Sequence, residues 1–379
     1  MAQTYFASIQ PGLEDYLLEE IRSLGAKKPR VLPGGVEFQG TRKTLYEAHL
    51  SLSTPSRIWL RIDEFRARDA PELYNKTRRI PWERLLYPGA KLLLRSYSAQ
   101  SSLYHTEKID AALFDGISDR FAEDLQLRAP HRSDAGLLVM TRISDDRAEL
   151  SLDASGELLH RRGWRTRVGP APLRESLAAT LLKASPWEFA QGLLDPFCGS
   201  GTIPIVAARQ RLGLLPGSDR SFAFQKWRNY DESIFTTLKD FVATNAGLPQ
   251  NAAPIQGADL DGEVLKLARE NAKTAAVVDR LTWIESPVAQ LSLKLEIPAS
   301  EVSHVVTNPP YGARLDRGNC LQELFQLYDL PFLQSLTFLW PRDSRDLVTS
   351  FEKSAQIAAS FKNGGLPVDL WVVTKNREH

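Results

Sequence analysis

Apolar residues recur at helical spacing at Leu13, Leu17, Leu18, Ile21 and Leu24. This predicts a helix over 13–24, entered through a Pro11-Gly12 turn from a strand over 4–9 and closed by Gly25. A Pro33-Gly34-Gly35 turn then leads to a short alternating strand over 36–38, a helix over 41–52 and an apolar, basic run over 58–65. Strands at 91–96 and 137–143, a helix near 108–121 and a hairpin closing on 147–152 continue the same mixture of short units, which reads as α+β. The back half changes character. Apolar strands at 192–195, 254–259, 281–285 and 303–307, with two more after 330, alternate with amphipathic helices at 202–210 and 262–275. That is the pattern of βα units on a mostly parallel sheet. The segment 212–247 is long for a connection and carries its own helix, so it is expected to lie over that sheet.

With 379 residues the chain has room for two domains, and the change of pattern divides it into 1–155 and 156–379. Its composition, 43% hydrophobic and 25% charged, is that of a globular protein and excludes a disordered or collagen-like chain. No apolar run is long enough for a membrane span, the opening residues lack a signal pattern, and two cysteines, Cys198 and Cys320, fit a reducing, cytoplasmic setting. The six histidines show no metal-ligand spacing, so no metal is expected. A net charge of +1 hides a mildly basic front: residues 1–168 hold 26 Lys and Arg against 23 Asp and Glu. Between Arg57 and Arg95, basic residues including Arg57, Arg78 and Arg79 interleave with Trp59, Phe65, Tyr74 and Trp82. Such a stretch suits a phosphate backbone with stacking platforms beside it.

Three segments carry chemistry. In LLDPFCGSGTIPIVAA, residues 193–208, a strand ends at Asp195 and turns through Gly199 and Gly201 into a helix. Glycines let the backbone turn sharply and approach a ligand at the carboxyl end of a strand. The order of glycines is not the dinucleotide fingerprint, and no lysine follows as in a phosphate loop. In GADLDGEVLKLARENA, residues 257–272, Asp259 stands at a strand tip where a carboxylate can accept from vicinal ribose hydroxyls, while Asp261 reads as a helix N-cap. In VVTNPPYGARL, residues 305–315, two prolines fix the backbone so that the Asn308 side-chain oxygen and the Pro309 carbonyl form paired acceptors for an exocyclic amine, with Tyr311 placed to stack on its base. Cys198 sits in the glycine turn without an activating histidine and reads as packing.

Asp195-Pro-Phe-Cys-Gly-Ser-Gly-Thr202 and Asn308-Pro-Pro-Tyr311 resemble the S-adenosylmethionine loop and catalytic motif of Rossmann-like amino-methyltransferases. The chain more narrowly resembles the RlmL-like, THUMP-containing RNA guanine-N2 methyltransferases. The likeness covers Pro11-Gly12-Leu13-Glu14, residues 34–40, the run DASGELLHRRGWR at 153–165, APLRESLAA at 171–179 and Asn363-Gly364. It implies a ferredoxin-like start and a THUMP region over about 43–155 that grips RNA, followed by a catalytic domain. It also implies that Asp195, Phe197, Cys198, Gly199, Ser200, Gly201, Thr202, Asp259, Leu260 and Asn308 hold S-adenosylmethionine, with Leu173 beside its methionine end and Ser286 beside its adenine. Asn308, Pro309, Pro310 and Tyr311 would be catalytic, and Arg57, Arg78 and Arg79 would meet the RNA. The expected product is N2-methylguanosine in large-subunit ribosomal RNA. The alternatives are a transfer-RNA substrate, an N6-adenine methyltransferase, and a binding factor without activity. Val206 and the Glu285-Ser286-Pro287 segment depart from the usual family residues.

Overall fold

A computed structural model describes residues 2–165, 173–244, 253–295, 303–310 and 317–375. The front half contains β1 (Gln3–Ser8), α1 (Glu14–Ser23), β2 (Lys27–Leu32), β3 (Gly35–Gly40), α2 (Arg42–Ser51), β4 (Arg57–Arg66), α3 (Ala70–Arg79), β5 (Lys91–Ala99), α4 (Thr106–Asp119), β6 (His131–Arg132), β7 (Leu137–Ser144) and β8 (Arg147–Asp153). These strands make one eight-stranded sheet in the order β2-β3-β1-β4-β8-β7-β5-β6. The long strand β4 is the seam: it pairs antiparallel with β1 on one side and with β8 on the other. β2 and α3 leave little trace in the sequence pattern. β2 is an edge strand with no buried residue, and α3 buries only Leu73 and Thr77, so neither shows an apolar period.

The back half contains α5 (Glu175–Ala184), β9 (Gly192–Asp195), α6 (Thr202–Arg211), α7 (Glu232–Thr244), β10 (Ile255–Asp259), α8 (Gly262–Thr274), β11 (Leu281–Glu285), α9 (Val288–Leu291), β12 (Ser303–Thr307), α10 (Arg317–Tyr328), β13 (Leu333–Pro341), α11 (Arg345–Phe351), β14 (Gln356–Asn363) and β15 (Leu366–Thr374). Its seven strands run in the order β11-β10-β9-β12-β13-β15-β14. All neighbours from β11 to β13 are parallel, and β15 is inserted antiparallel between β13 and β14. Three strands therefore follow residue 330, where the pattern predicts two. The chain winds outward from β9 to β11 and then returns to the other side of β9 at β12. This reversal opens a crevice between the carboxyl ends of β9 and β12. No described helix is long and apolar enough to cross a membrane.

The segment after α6 does not lie over the seven-stranded sheet as expected; it docks on α2 of the front half. The Gly217 N–H donates to the Leu50 carbonyl at 3.1 Å, and Arg228 N–H donates to Leu85 at 2.8 Å. Asp231 N–H donates to the Tyr46 hydroxyl at 3.0 Å, and Arg42 bonds the Asn229 carbonyl. The reason is apolar: Phe222, Phe224 and Trp227 are buried, and the Phe224 ring stacks on Tyr46 at 4.8 Å.

A second tie crosses the chain near residue 53. Glu20 of α1 accepts from the Ser53 and Thr54 N–H groups at 3.1 Å and from the Thr54 hydroxyl at 2.7 Å. The carbonyl of the same Ser53 accepts from the buried guanidinium of Arg162 at 2.7 Å, which reaches Glu175 of α5 as well. Removing the Glu20 carboxylate strands several buried donors. Glu20→Ala is expected to cost about 2–4 kcal/mol of stability, read as a lowered urea midpoint. An unchanged midpoint would mean that this tie contributes nothing.

Candidate active site

The crevice between β9 and β12 is closed at its base by a bond between the two strands. The Thr307 hydroxyl donates to Asp195 Oδ1 at 2.6 Å, and Phe197 N–H donates to the same oxygen at 3.2 Å. Asn308 thus stands beside the start of the glycine turn. That turn is drawn toward β10: Cys198 N–H donates to the Ala258 carbonyl at 2.8 Å, and Gly199 N–H to Asp259 Oδ2 at 2.9 Å. Gly201 has a φ of 83° and leads into α6. A Cβ on Gly201 would come within 2.6 Å of the Trp283 ring, and one on Gly257 would do the same. Two glycines therefore make room for one indole from β11. Trp283 was invisible as a site element in the sequence, because only the pairing of β10 with β11 brings it under the turn.

Asp259 lies at the tip of β10 with each oxygen holding one backbone donor, Gly199 N–H at Oδ2 and Asp261 N–H at Oδ1. A carboxylate has about four acceptor positions, so both oxygens keep capacity for ribose hydroxyls. Asp261 is an N-cap as expected and accepts from Glu263 and Val264. Ser286 is buried, and its hydroxyl donates to the Pro287 carbonyl at 3.1 Å.

One cavity of about 730 Å³ joins these groups. Leu173, Asp195, Phe197, Cys198, Gly199, Ser200, Thr202, Asp259, Leu260, Ser286, Asn308, Pro309 and Pro310 all line it. Its volume lies within the roughly 300–1,000 Å³ of small-molecule sites. Gly201 stands behind this wall, against Trp283. Tyr311 lies outside the described residues. The residues fit a nucleoside cofactor beside a hydrogen-bond donor on two grounds. Asn308 Oδ1 is buried and has no hydrogen-bond partner among the described residues, an acceptor left waiting in the cavity wall. A Cβ on Gly199 would meet nothing within 4 Å, so the bare backbone there faces open space.

Arg165 was not singled out from the sequence, yet its guanidinium bonds the Leu173 carbonyl at 2.8 Å and the Thr202 hydroxyl, tying the start of α6 to the segment before α5. Burial pushes the Cys198 thiol well above its usual range, with Asp195 and Asp259 adding to the effect. It is a packing residue of the turn rather than a nucleophile.

Two of the expected RNA contacts are engaged elsewhere. Arg57 is mostly buried, ion-paired with Asp153, bonded to the Gly156 carbonyl at 2.8 Å and set over the Trp59 ring. Arg78 is held by Asp124 at 2.6 Å, Glu123 at 2.8 Å and the Tyr74 hydroxyl at 2.8 Å. Both cations answer the acidic residues of their own domain, which a linear count of charge does not reveal. Arg79 is exposed and makes no ion pair among the described residues.

A mostly parallel sheet with a nucleoside-sized cavity at its switch point, a glycine bend and an Asn-Pro-Pro strand end is the architecture of a Rossmann-like methyltransferase. Residues 162–349 match the UPF0020 family, the RMKL-like methyltransferase domain, and residues 4–59 match the RlmL ferredoxin-like domain. The chain thus contains an RlmL-like methyltransferase domain and an RlmL ferredoxin-like domain. It is 35% identical over 316 residues to the ribosomal RNA large subunit methyltransferase K/L of Psychromonas ingrahamii. That match takes in 82% of this chain and 42% of the relative, so the chain spans less than half the relative's length. The crystal structure of SMU.472 complexed with S-adenosylhomocysteine superposes with a TM-score of 0.88 at 26% identity, covering 100% of this chain and 99% of that one. A predicted N6-adenine-specific DNA methylase from Listeria monocytogenes superposes at 0.84 with 28% identity, covering 98% and 96%.

Burial pushes the Asp195 carboxyl up to about 7 from 3.8, against the Thr307 and Phe197 bonds that pull it down. The folded chain thus holds a proton that the unfolded chain has released, and Asp195 removes stability as pH rises from 3.8 toward 7. Asp195→Asn is expected to flatten that part of the stability curve, measured by urea unfolding at stepped pH. The same slope in both proteins would place the titration elsewhere.

Proposed function

We propose that the protein is an S-adenosylmethionine-dependent RNA methyltransferase that forms N2-methylguanosine in large-subunit (23S) ribosomal RNA. The observation that carries this reading is the buried Asn308 Oδ1, without a partner among the described residues, in the same cavity as the glycine bend. S-adenosylmethionine supplies a methyl group on a positively charged sulfur, so the chain itself need only bind, align and desolvate. Gly199 and Gly201 shape the turn at the cofactor, Asp259 takes its ribose hydroxyls, and Leu173 and Thr202, which line the same cavity, take its methionine end. Asn308 Oδ1 and the Pro309 carbonyl accept the two hydrogens of the target amine. They leave its nitrogen as the nucleophile and stabilise the positive charge that grows there during attack. The proton leaves to solvent after transfer, and no covalent enzyme intermediate is needed.

The substrate class follows the relative from Psychromonas ingrahamii, whose name specifies large-subunit ribosomal RNA. In the same reading residues 1–155 form the RNA-binding region, with THUMP over about 43–155, and residues 156–379 form the catalytic domain. A second reading, an adenine N6 substrate, is favoured by the Listeria structure, because paired acceptors serve either amine. Nucleoside mass spectrometry of ribosomal RNA treated with the protein separates the two by the methylated base formed.

Asn308→Ala should reduce kcat by roughly a hundredfold or more while changing cofactor affinity little, since its partner is the amine rather than the cofactor. Single-turnover kinetics with calorimetry in parallel provides the check. An equal loss in both would reassign Asn308 to cofactor binding.

A further inference from the structure

The cavity contains a carboxylate with no role in the scheme above. Among the described residues four acids line it: Asp195, Asp259, Asp261 and Glu323. Three accept backbone N–H groups that fix them in the fold. Asp195 holds Thr307 and Phe197, Asp259 holds the N–H groups of Gly199 and Asp261, and Asp261 caps α8. Glu323 is different. It projects from α10, and its one hydrogen-bond donor among the described residues is the side-chain amide of Asn319, one helical turn earlier, at 3.2 Å from Oε1. An amide at this spacing aims a carboxylate without neutralising it.

The position of α10 indicates which end of the cavity Glu323 serves. Leu321 and Leu324 of α10 share an apolar cluster with Val288 and Leu291 of α9. The segment leading into α9, Ser286-Pro287-Val288, forms the cavity wall beyond Asp259. Among the described residues no acid from the end of β11 itself lines the cavity. The Glu285 carboxylate lies over Gly262, where an added Cβ would come within 2.5 Å of Oε2, and the Ser286 hydroxyl is donated to the Pro287 carbonyl. An adenine carries one exocyclic amine that needs an acceptor, and Glu323 is the cavity acid that accepts no backbone N–H among the described residues.

We infer that Glu323, aimed by Asn319, accepts the 6-amino group of the cofactor's adenine and sets the preference of the site for an adenosyl group. The inference rests on the cofactor reading given under Proposed function. The competing occupant is the amine or ring N–H of the target base, because Cys320, also on this face of α10, has its Sγ 4.0 Å from the Pro310 carbonyl.

The test is calorimetric titration of the full chain with S-adenosylhomocysteine and with S-inosylhomocysteine, in which a 6-oxo acceptor replaces the amine. The wild-type protein should prefer the adenosyl compound at least about tenfold, the scale of a hydrogen bond to a charged group. Glu323→Ala should bring the ratio toward one. Glu323→Gln, whose amide can turn either its donor or its acceptor outward, should do so with less change in packing. A wild-type ratio retained in both variants overturns the inference and leaves the cofactor reading intact. If the loss appears instead between guanine- and adenine-containing RNA, Glu323 reads the target base. A wild-type protein that binds neither compound refutes the cofactor reading, and this inference with it.

Discussion

The short bond from Thr307 to Asp195 is the constraint on which the site depends. Strands β9 and β12 meet there at the point where the winding of the sheet reverses, and each then departs into a different functional segment. Because the two strand ends are locked, the glycine turn and the Asn-Pro-Pro segment face a common space. Asp195 must sit out of water to do this, and its raised proton affinity is the physical cost of that position. The turn is further drawn toward β10 by Gly199 and Cys198 and rests on the Trp283 indole, so three adjacent strands fix one loop.

The front half is joined to this core by polar and apolar ties of separate origin. Glu20 and Arg162 meet on the backbone around Ser53, one from α1 and the other from the segment that enters the catalytic half. The aromatic insert after α6 reaches back to pack against Tyr46 and His49 of α2. Burial there pushes the His49 ring down to about 3, where it bonds Leu45 and Ser155 as a neutral group. Hydrophobic burial and satisfied buried polar groups thus act at two places on the same junction.

Much of this was legible in the chain. The strands at 192–195, 281–285 and 303–307 were bounded correctly because short apolar runs ending in Asp, Glu or Asn-Pro punctuate themselves. The glycine turn, the N-cap at Asp261 and the acceptor strand end announced themselves through residue chemistry at fixed spacing. What remained hidden depended on partners distant in sequence. Trp283 becomes part of the site only through strand pairing, and Arg165 only through its reach to Thr202. The arginines of the front half read as a basic stretch, yet Arg57 and Arg78 are answered by Asp153 and Asp124, residues 96 and 46 positions away. The insert was misplaced for the same reason: its aromatic residues gave no sign of which surface they would cover.

The role of β4 as the shared seam has a mechanical consequence. Because one strand belongs both to the ferredoxin-like start and to the rest of the eight-stranded sheet, those two portions cannot hinge against each other without tearing a backbone ladder. With the insert riveted to α2, the span from the outer surface of that sheet to Asn308 becomes a set length. Any large folded partner that touched both places would be gauged as by a caliper, since the distance between its two points of contact would be fixed in advance.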